Sequence, residues 1–151
     1  MQQALSCADK AWAINEVPVG AIIVDSKGKV ISEGFNENIS LNDPCSHAEI
    51  IALKKAGKLL NNYRLNGCII YVTLEPCMMC LGALIHARID TVVYGARDMK
   101  TGCLGGAVNL NNDEFNWNHK LKIISGVCEH EASTKLKKFF QKLRLDKLEK
   151  S

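Results

Sequence analysis

Two short stretches constrain this chain more than anything else in it: Ser46-His47-Ala48-Glu49, and further along Glu75-Pro76-Cys77-Met78-Met79-Cys80. They read His-x-Glu, then Pro-Cys-x-x-Cys. Two cysteines three apart at a helix start lie on one face, where both thiols can reach one ion. Pro76 suits a first helical turn, because its missing N–H leaves no bond unmade there. The positive end of the helix favours thiolate over thiol at Cys77 and Cys80, and thiolate is what zinc binds. His47 adds an imidazole. A closed structural zinc needs a fourth protein ligand, and three leave a position for water. Zinc lowers the pKa of such a water toward neutrality. Glu49, two residues beyond His47, stands near the metal without having to bind it, placed to move a proton.

Each part has a blander explanation. Ser46 with Glu49 three residues on is also a capping box. Cys-x-x-Cys alone could be a redox pair. The combination, with Pro before the first cysteine and His-x-Glu upstream, favours a catalytic zinc site.

The rest of the pattern is that of one α/β domain spanning residues 1–151. Residues 2 to 15 suggest a helix with Leu5, Ala8, Ala11 and Trp12 on one face, ended near Pro18 and Gly20. Val19–Val24 and Lys29–Phe35 read as a hairpin around Asp25-Ser26-Lys27-Gly28. Asn36–Pro44 is polar loop, and a helix from His47 to Ala56 stops near Gly57. Gly67–Thr73, Cys77–His86 and Asp90–Ala96 come next as strand, helix and strand, a parallel right-handed crossover. Arg97–Asn112 is loop, Lys122–Val127 a fifth strand, and Glu129–Leu148 a terminal helix with Leu136, Phe139, Phe140 and Leu143 as its buried stripe. The expectation is a three-layer α/β/α fold with a central mixed sheet of about five strands.

Composition narrows the class. A 47% hydrophobic, 23% charged chain is ordinary for a globular protein, and no apolar run approaches a membrane span. The N-terminus lacks the charged and apolar regions of a signal peptide. With no export signal, seven cysteines fit free thiols plus a metal site, and the expected compartment is the cytoplasm. The net charge of +3 is uneven. Seven basic residues and two acids between Lys135 and Lys150 give that stretch +5 and leave −2 for the rest.

Four stretches carry a family resemblance: Glu16-Val17-Pro18-Val19-Gly20, His47-Ala48-Glu49, Leu74 to Cys80, and Tyr94-Gly95-Ala96-Arg97-Asp98-Met99-Lys100-Thr101-Gly102. In these the sequence resembles the bacterial tRNA-specific adenosine deaminases of the cytidine deaminase-like superfamily. The resemblance runs from Trp12 to the terminal helix. It implies hydrolytic deamination of the wobble adenosine in a tRNA anticodon loop to inosine, by a homodimer with one zinc per subunit and no membrane association. Carried over by position, His47, Cys77 and Cys80 bind zinc and Glu49 shuttles protons. Asn36 bonds the sugar of the flipped nucleoside, Ala48 offers backbone contacts to the base, and Asp98 and Lys100 meet the flanking nucleotides. On the residues alone, Asn36 could instead satisfy loop backbone, and Asp98 could be a solvated loop acid. Two departures stand out: the N-terminal helix is shorter than usual, and Gly106 stands where Ser is common. Deamination of a free base such as guanine, or of cytidine, is the competing activity. The Arg97–Asp98 stretch and the basic terminal helix argue against it. A non-catalytic zinc module that binds RNA would have no need of Glu49.

Overall fold

The sheet forms around Gly20–Val24, five consecutive residues that are all buried. A computed structural model describes residues 1–151. Its elements are α1 (Gln2–Ala13), β1 (Gly20–Val24), β2 (Val30–Phe35), α2 (Ala48–Leu60), β3 (Ile69–Leu74), α3 (Met78–His86), β4 (Thr91–Ala96), β5 (Lys122–Ile124) and α4 (Glu129–Glu149). The strand order is β2-β1-β3-β4-β5. β1 pairs antiparallel with both β2 and β3, whereas β3, β4 and β5 run parallel, so the sheet is mixed as expected.

Alternation along the strands sorts the two faces. Ala21, Ile23, Ile70, Val72, Val92 and Tyr94 pack beneath α2 and α3, with Leu81 and Leu84 of α3 among them. Ile22 and Val24 meet Ala4 and Cys7 of α1, and Ala132 of α4 joins Leu5 and Ala96 on the same side. The result is helix, sheet, helix in three layers.

Small residues set how closely α2 approaches. A Cβ on Gly34 of β2 would fall 2.4 Å from the Ala48 carbonyl oxygen, so only glycine permits that contact. The buried face of α2 is therefore Ala48, Glu49, Ala52 and Ala56, while Ile50, Ile51 and Leu53 are only half-buried. The same packing carries Glu49 into the interior.

Several boundaries differ from the sequence expectation. α2 passes through Gly57 and ends at Asn61, whose left-handed backbone (φ 49°) closes the last turn. β5 has three residues instead of six, because Gly126 and Cys128, at φ 80° and 56°, turn the chain into α4. On α4, Phe139 is buried and packs edge-on to Trp12 at 5.3 Å, but Phe140 is 42% exposed and Leu136 and Leu143 are half-buried. Of the strands, α4 packs on β4 and β3, and its last turns reach past the sheet, so that Leu145 and Leu148 face solvent. No helix is long and apolar enough to cross a membrane.

Candidate active site and metal centre

β2, β3 and β4 all end at one edge of the sheet, and the three segments leaving those ends build a common site. Open α/β sheets bind ligands at such carboxyl ends. After β2, the chain loops to His47, the N-cap of α2. After β3, Glu75-Pro76 leads to Cys77, the N-cap of α3. After β4, residues 97–106 fold back over the turn that follows β3, with Cys103 N–H donating to the Pro76 carbonyl at 3.0 Å.

This brings His47, Cys77 and Cys80 together, their ligand atoms all within 4.8 Å of one another. His47 Nδ1 lies 3.6 Å from Cys77 Sγ and 3.5 Å from Cys80 Sγ. Zinc–sulfur and zinc–nitrogen bonds of ordinary length, set at a tetrahedral angle, place N and S about 3.6 Å apart. The imidazole nitrogen therefore stands from each sulfur at the spacing of two corners of a zinc tetrahedron. Both thiols sit at the start of α3, where the helix dipole favours anions. The Cys80 thiol bonds to Cys77 and, with His47, holds Cys77 down at about 4; Cys80 itself is pushed up by that bond and by burial. His47 is raised by its bond to Cys77.

Glu49 occupies the first turn of α2, 4% exposed. Burial pushes its carboxyl up to about 7. It takes no part in a capping box. Ser46 donates its hydroxyl to Asp43 Oδ2 at 2.7 Å, and α2 has no side-chain cap. Glu49 faces a cleft of about 570 Å³ together with His47 and Cys77. That volume lies in the range of small-molecule sites. Val17, Val19, Leu74, Phe140 and the loop from Asp98 to Thr101 also line it.

Asn36 also faces the cleft, and its Oδ1 accepts the Ala48 N–H at 2.9 Å. Ala48, fully buried, is thereby tied to Asn36 at the first turn of α2. Asp98 is more than a solvated acid. Oδ1 accepts the N–H of Lys100 at 2.9 Å and of Thr101 at 3.2 Å, and Oδ2 accepts the Thr101 hydroxyl at 2.7 Å. These bonds shape the loop, and the loop holds the exposed Lys100 at the rim.

Sequence reasoning missed two buried acids. Glu16, 2% exposed, accepts the N–H groups of Ile39 and Ser40, both at 2.7 Å, and so ties down the loop that leads to His47. Glu75, 2% exposed, accepts N–H groups from Asp98, Leu104 and Gly106. The one available signal was an acid set directly against an apolar strand with no cation nearby in sequence. Gly106, given no role from sequence, has a steric one. A Cβ there would meet the Asp98 carbonyl oxygen at 2.1 Å and Glu75 Oε1 at 2.7 Å.

Comparison with known proteins bears on the same residues. A family model for the cytidine and deoxycytidylate deaminase zinc-binding region matches residues 1–96, which include the whole metal cluster. The chain is 50% identical to the tRNA-specific adenosine deaminase of Haemophilus influenzae over 147 residues, covering 97% of this chain and 84% of that one. It is similar to a solved structure from a study of A-to-I editing by tRNA:A34 deaminases at the wobble position, with TM-score 0.84 and 38% identity over 90% of this chain and 97% of that one. A guanine deaminase structure from Bacillus subtilis is more distant, with TM-score 0.60 and 31% identity over 76% of this chain and 83% of that one.

Proposed function

The chain belongs to the zinc-binding cytidine and deoxycytidylate deaminase family, and from that membership and the geometry of the cleft we propose how it acts. It is a zinc-dependent tRNA adenosine deaminase: it converts the wobble adenosine of an anticodon loop to inosine, taking up water and releasing ammonia. The single observation that carries this reading is that Glu49 and the His47–Cys77–Cys80 cluster meet at one cleft whose rim is the Asp98–Thr101 loop.

His47 Nδ1 and the Sγ atoms of Cys77 and Cys80 would hold one Zn2+ per chain. Bound there, zinc supplies the Lewis acidity that makes a water nucleophilic near neutral pH. Glu49 would take one proton from the attacking water and pass it to the ring nitrogen N1 as oxygen adds to C6, then take the second from the added hydroxyl and pass it to the amino group, which leaves as ammonia when the C–N bond breaks. Asn36, fixed through Ala48 N–H, turns its amide nitrogen to the flipped nucleoside, while the loop of Asp98 and Lys100 meets the flanking nucleotides. A flipped base needs its flanking backbone held, and Lys100 with the basic α4 supplies positive charge for that.

We further propose that residues 1–151 form one such domain, that it works as a homodimer in the cytoplasm alongside tRNA, and that dimerisation lets a small domain hold a large RNA. Metal analysis of the purified protein tests the ligand set. About one zinc per chain is expected, and Cys80→Ser should lose most of it. Full retention of zinc in Cys80→Ser would remove Cys80 from the ligand set.

A further inference from the structure

We infer that Glu75 is a positioning residue that sets the substrate wall of the cleft. The inference rests on the deaminase reading. The carboxylate lies at the end of β3, two residues before Cys77, and is 2% exposed. No cation pairs with it. Its partners are three backbone N–H groups of the loop after β4: Asp98 to Oε1 at 3.2 Å, and Leu104 and Gly106 to Oε2, both at 2.9 Å. Hydrogen bonds to a charged acceptor are among the stronger ones, and these three add to the loop's own backbone bonds, such as Gly102 N–H to the Asp98 carbonyl and Cys103 N–H to the Pro76 carbonyl, both at 3.0 Å.

The surroundings are shaped for this one side chain. Cβ atoms at Gly102 and Gly106 would come within 2.3 Å and 2.7 Å of the Glu75 carboxylate oxygens. Both glycines let the loop close on the acid. The Glu75 carboxylate also borders the cleft, beside Cys77 and Asp98. It therefore joins the turn that carries a metal-ligating cysteine to the loop that carries Asp98, Lys100 and Thr101. Asp98 donates its own N–H to Glu75, and its carboxylate then accepts the N–H groups of Lys100 and Thr101. Glu75 need not touch the substrate. Its effect passes through the loop, so it belongs to substrate capture more than to turnover.

Glu75→Gln is the informative variant, because shape is kept and one of the two acceptor oxygens becomes an N–H2 donor. The orientation that keeps the two shorter bonds puts the amide nitrogen against Asp98 N–H and frees the substrate end of the loop. With an anticodon stem-loop as substrate, KM should rise about 10-fold, while kcat stays within about threefold and zinc remains near one per chain. Glu75→Ala should raise KM further. A merely structural acid would lower zinc content and kcat together, or lower thermal stability with kinetics intact, and either result overturns the assignment. So does an unchanged KM in zinc-loaded Glu75→Gln. Amide hydrogen exchange on the wild-type protein gives a check that does not depend on any variant folding. The amides of Asp98, Leu104 and Gly106 should be protected, and exchange at the rates of free loop amides would refute the claim. The wild-type protein run alongside separates the two readings: if it fails to deaminate the stem-loop, the proposed function falls, whereas a fall of the Glu75 assignment alone requires active wild type.

Discussion

Glu49 combines two properties, near-complete burial and a place in the lining of a cleft. The other buried acids in this chain, Glu16 and Glu75, are consumed by backbone N–H groups. Glu49 is carried inside because α2 starts on small residues packed against Gly34, and its burial raises the carboxyl toward neutrality. A group that exchanges protons near neutral pH is suited to general acid–base work. Glu49→Gln keeps the shape and cannot accept the proton. Since no cap bond is lost, folding and zinc content should survive while turnover falls by about 100-fold or more. Kinetics of the zinc-loaded variant would measure this, and near-normal turnover would mean that Glu49 is structural.

At the scale of elements, α4 both covers the sheet and carries charge. Phe139 and Ala132 anchor it, whereas Phe140 stands exposed at the cleft. Lys135 is paired with Asp9 of α1, so it is committed to packing, and the free cations are further along, at Lys138, Lys142 and Arg144. Each phosphate contact on a single strand contributes about −0.7 to the slope of log affinity against log salt. Changing Lys138, Lys142 and Arg144 to Gln should weaken RNA binding and flatten that slope by about one to two units, with thermal stability near wild type. An unchanged slope in a salt titration would make this face solvated surface only. The strand–helix order and the mixed sheet were legible in the sequence, because apolar periodicity reports which face is buried. Periodicity does not report where the sheet ends beneath a helix, and that is why Phe140 reads as core and proves to be cleft wall. The metal cluster was legible for a different reason: its donors are fixed by short local spacings at two helix starts. Glu75 and Glu16 obey no spacing rule. Their partners are backbone N–H groups of residues 98–106 and 39–40, a relation that exists only once the chain has folded.

At the scale of the whole molecule, three strands ending at one edge deliver the Cys77 turn, the start of α2 with His47 and Glu49, and the Asp98–Thr101 loop to one place. The family model covers the metal-binding portion, residues 1–96, and the distinctive loop and basic helix lie beyond it. The zinc-binding portion is thus shared with a broad family. A homodimer is expected, and light scattering at micromolar concentration should give twice the chain mass of 16.7 kDa. A fully active species of 16.7 kDa would refute it.

The most direct test of the proposed activity sets the zinc-loaded protein against a panel: an anticodon stem-loop with adenosine at the wobble position, the same loop with that adenosine moved by one position, free guanine, and cytidine. Products are read by mass spectrometry. One adenosine-to-inosine conversion per stem-loop is predicted, at the wobble position, with the other three substrates turned over far more slowly. Efficient deamination of guanine or cytidine with the stem-loop untouched would contradict it.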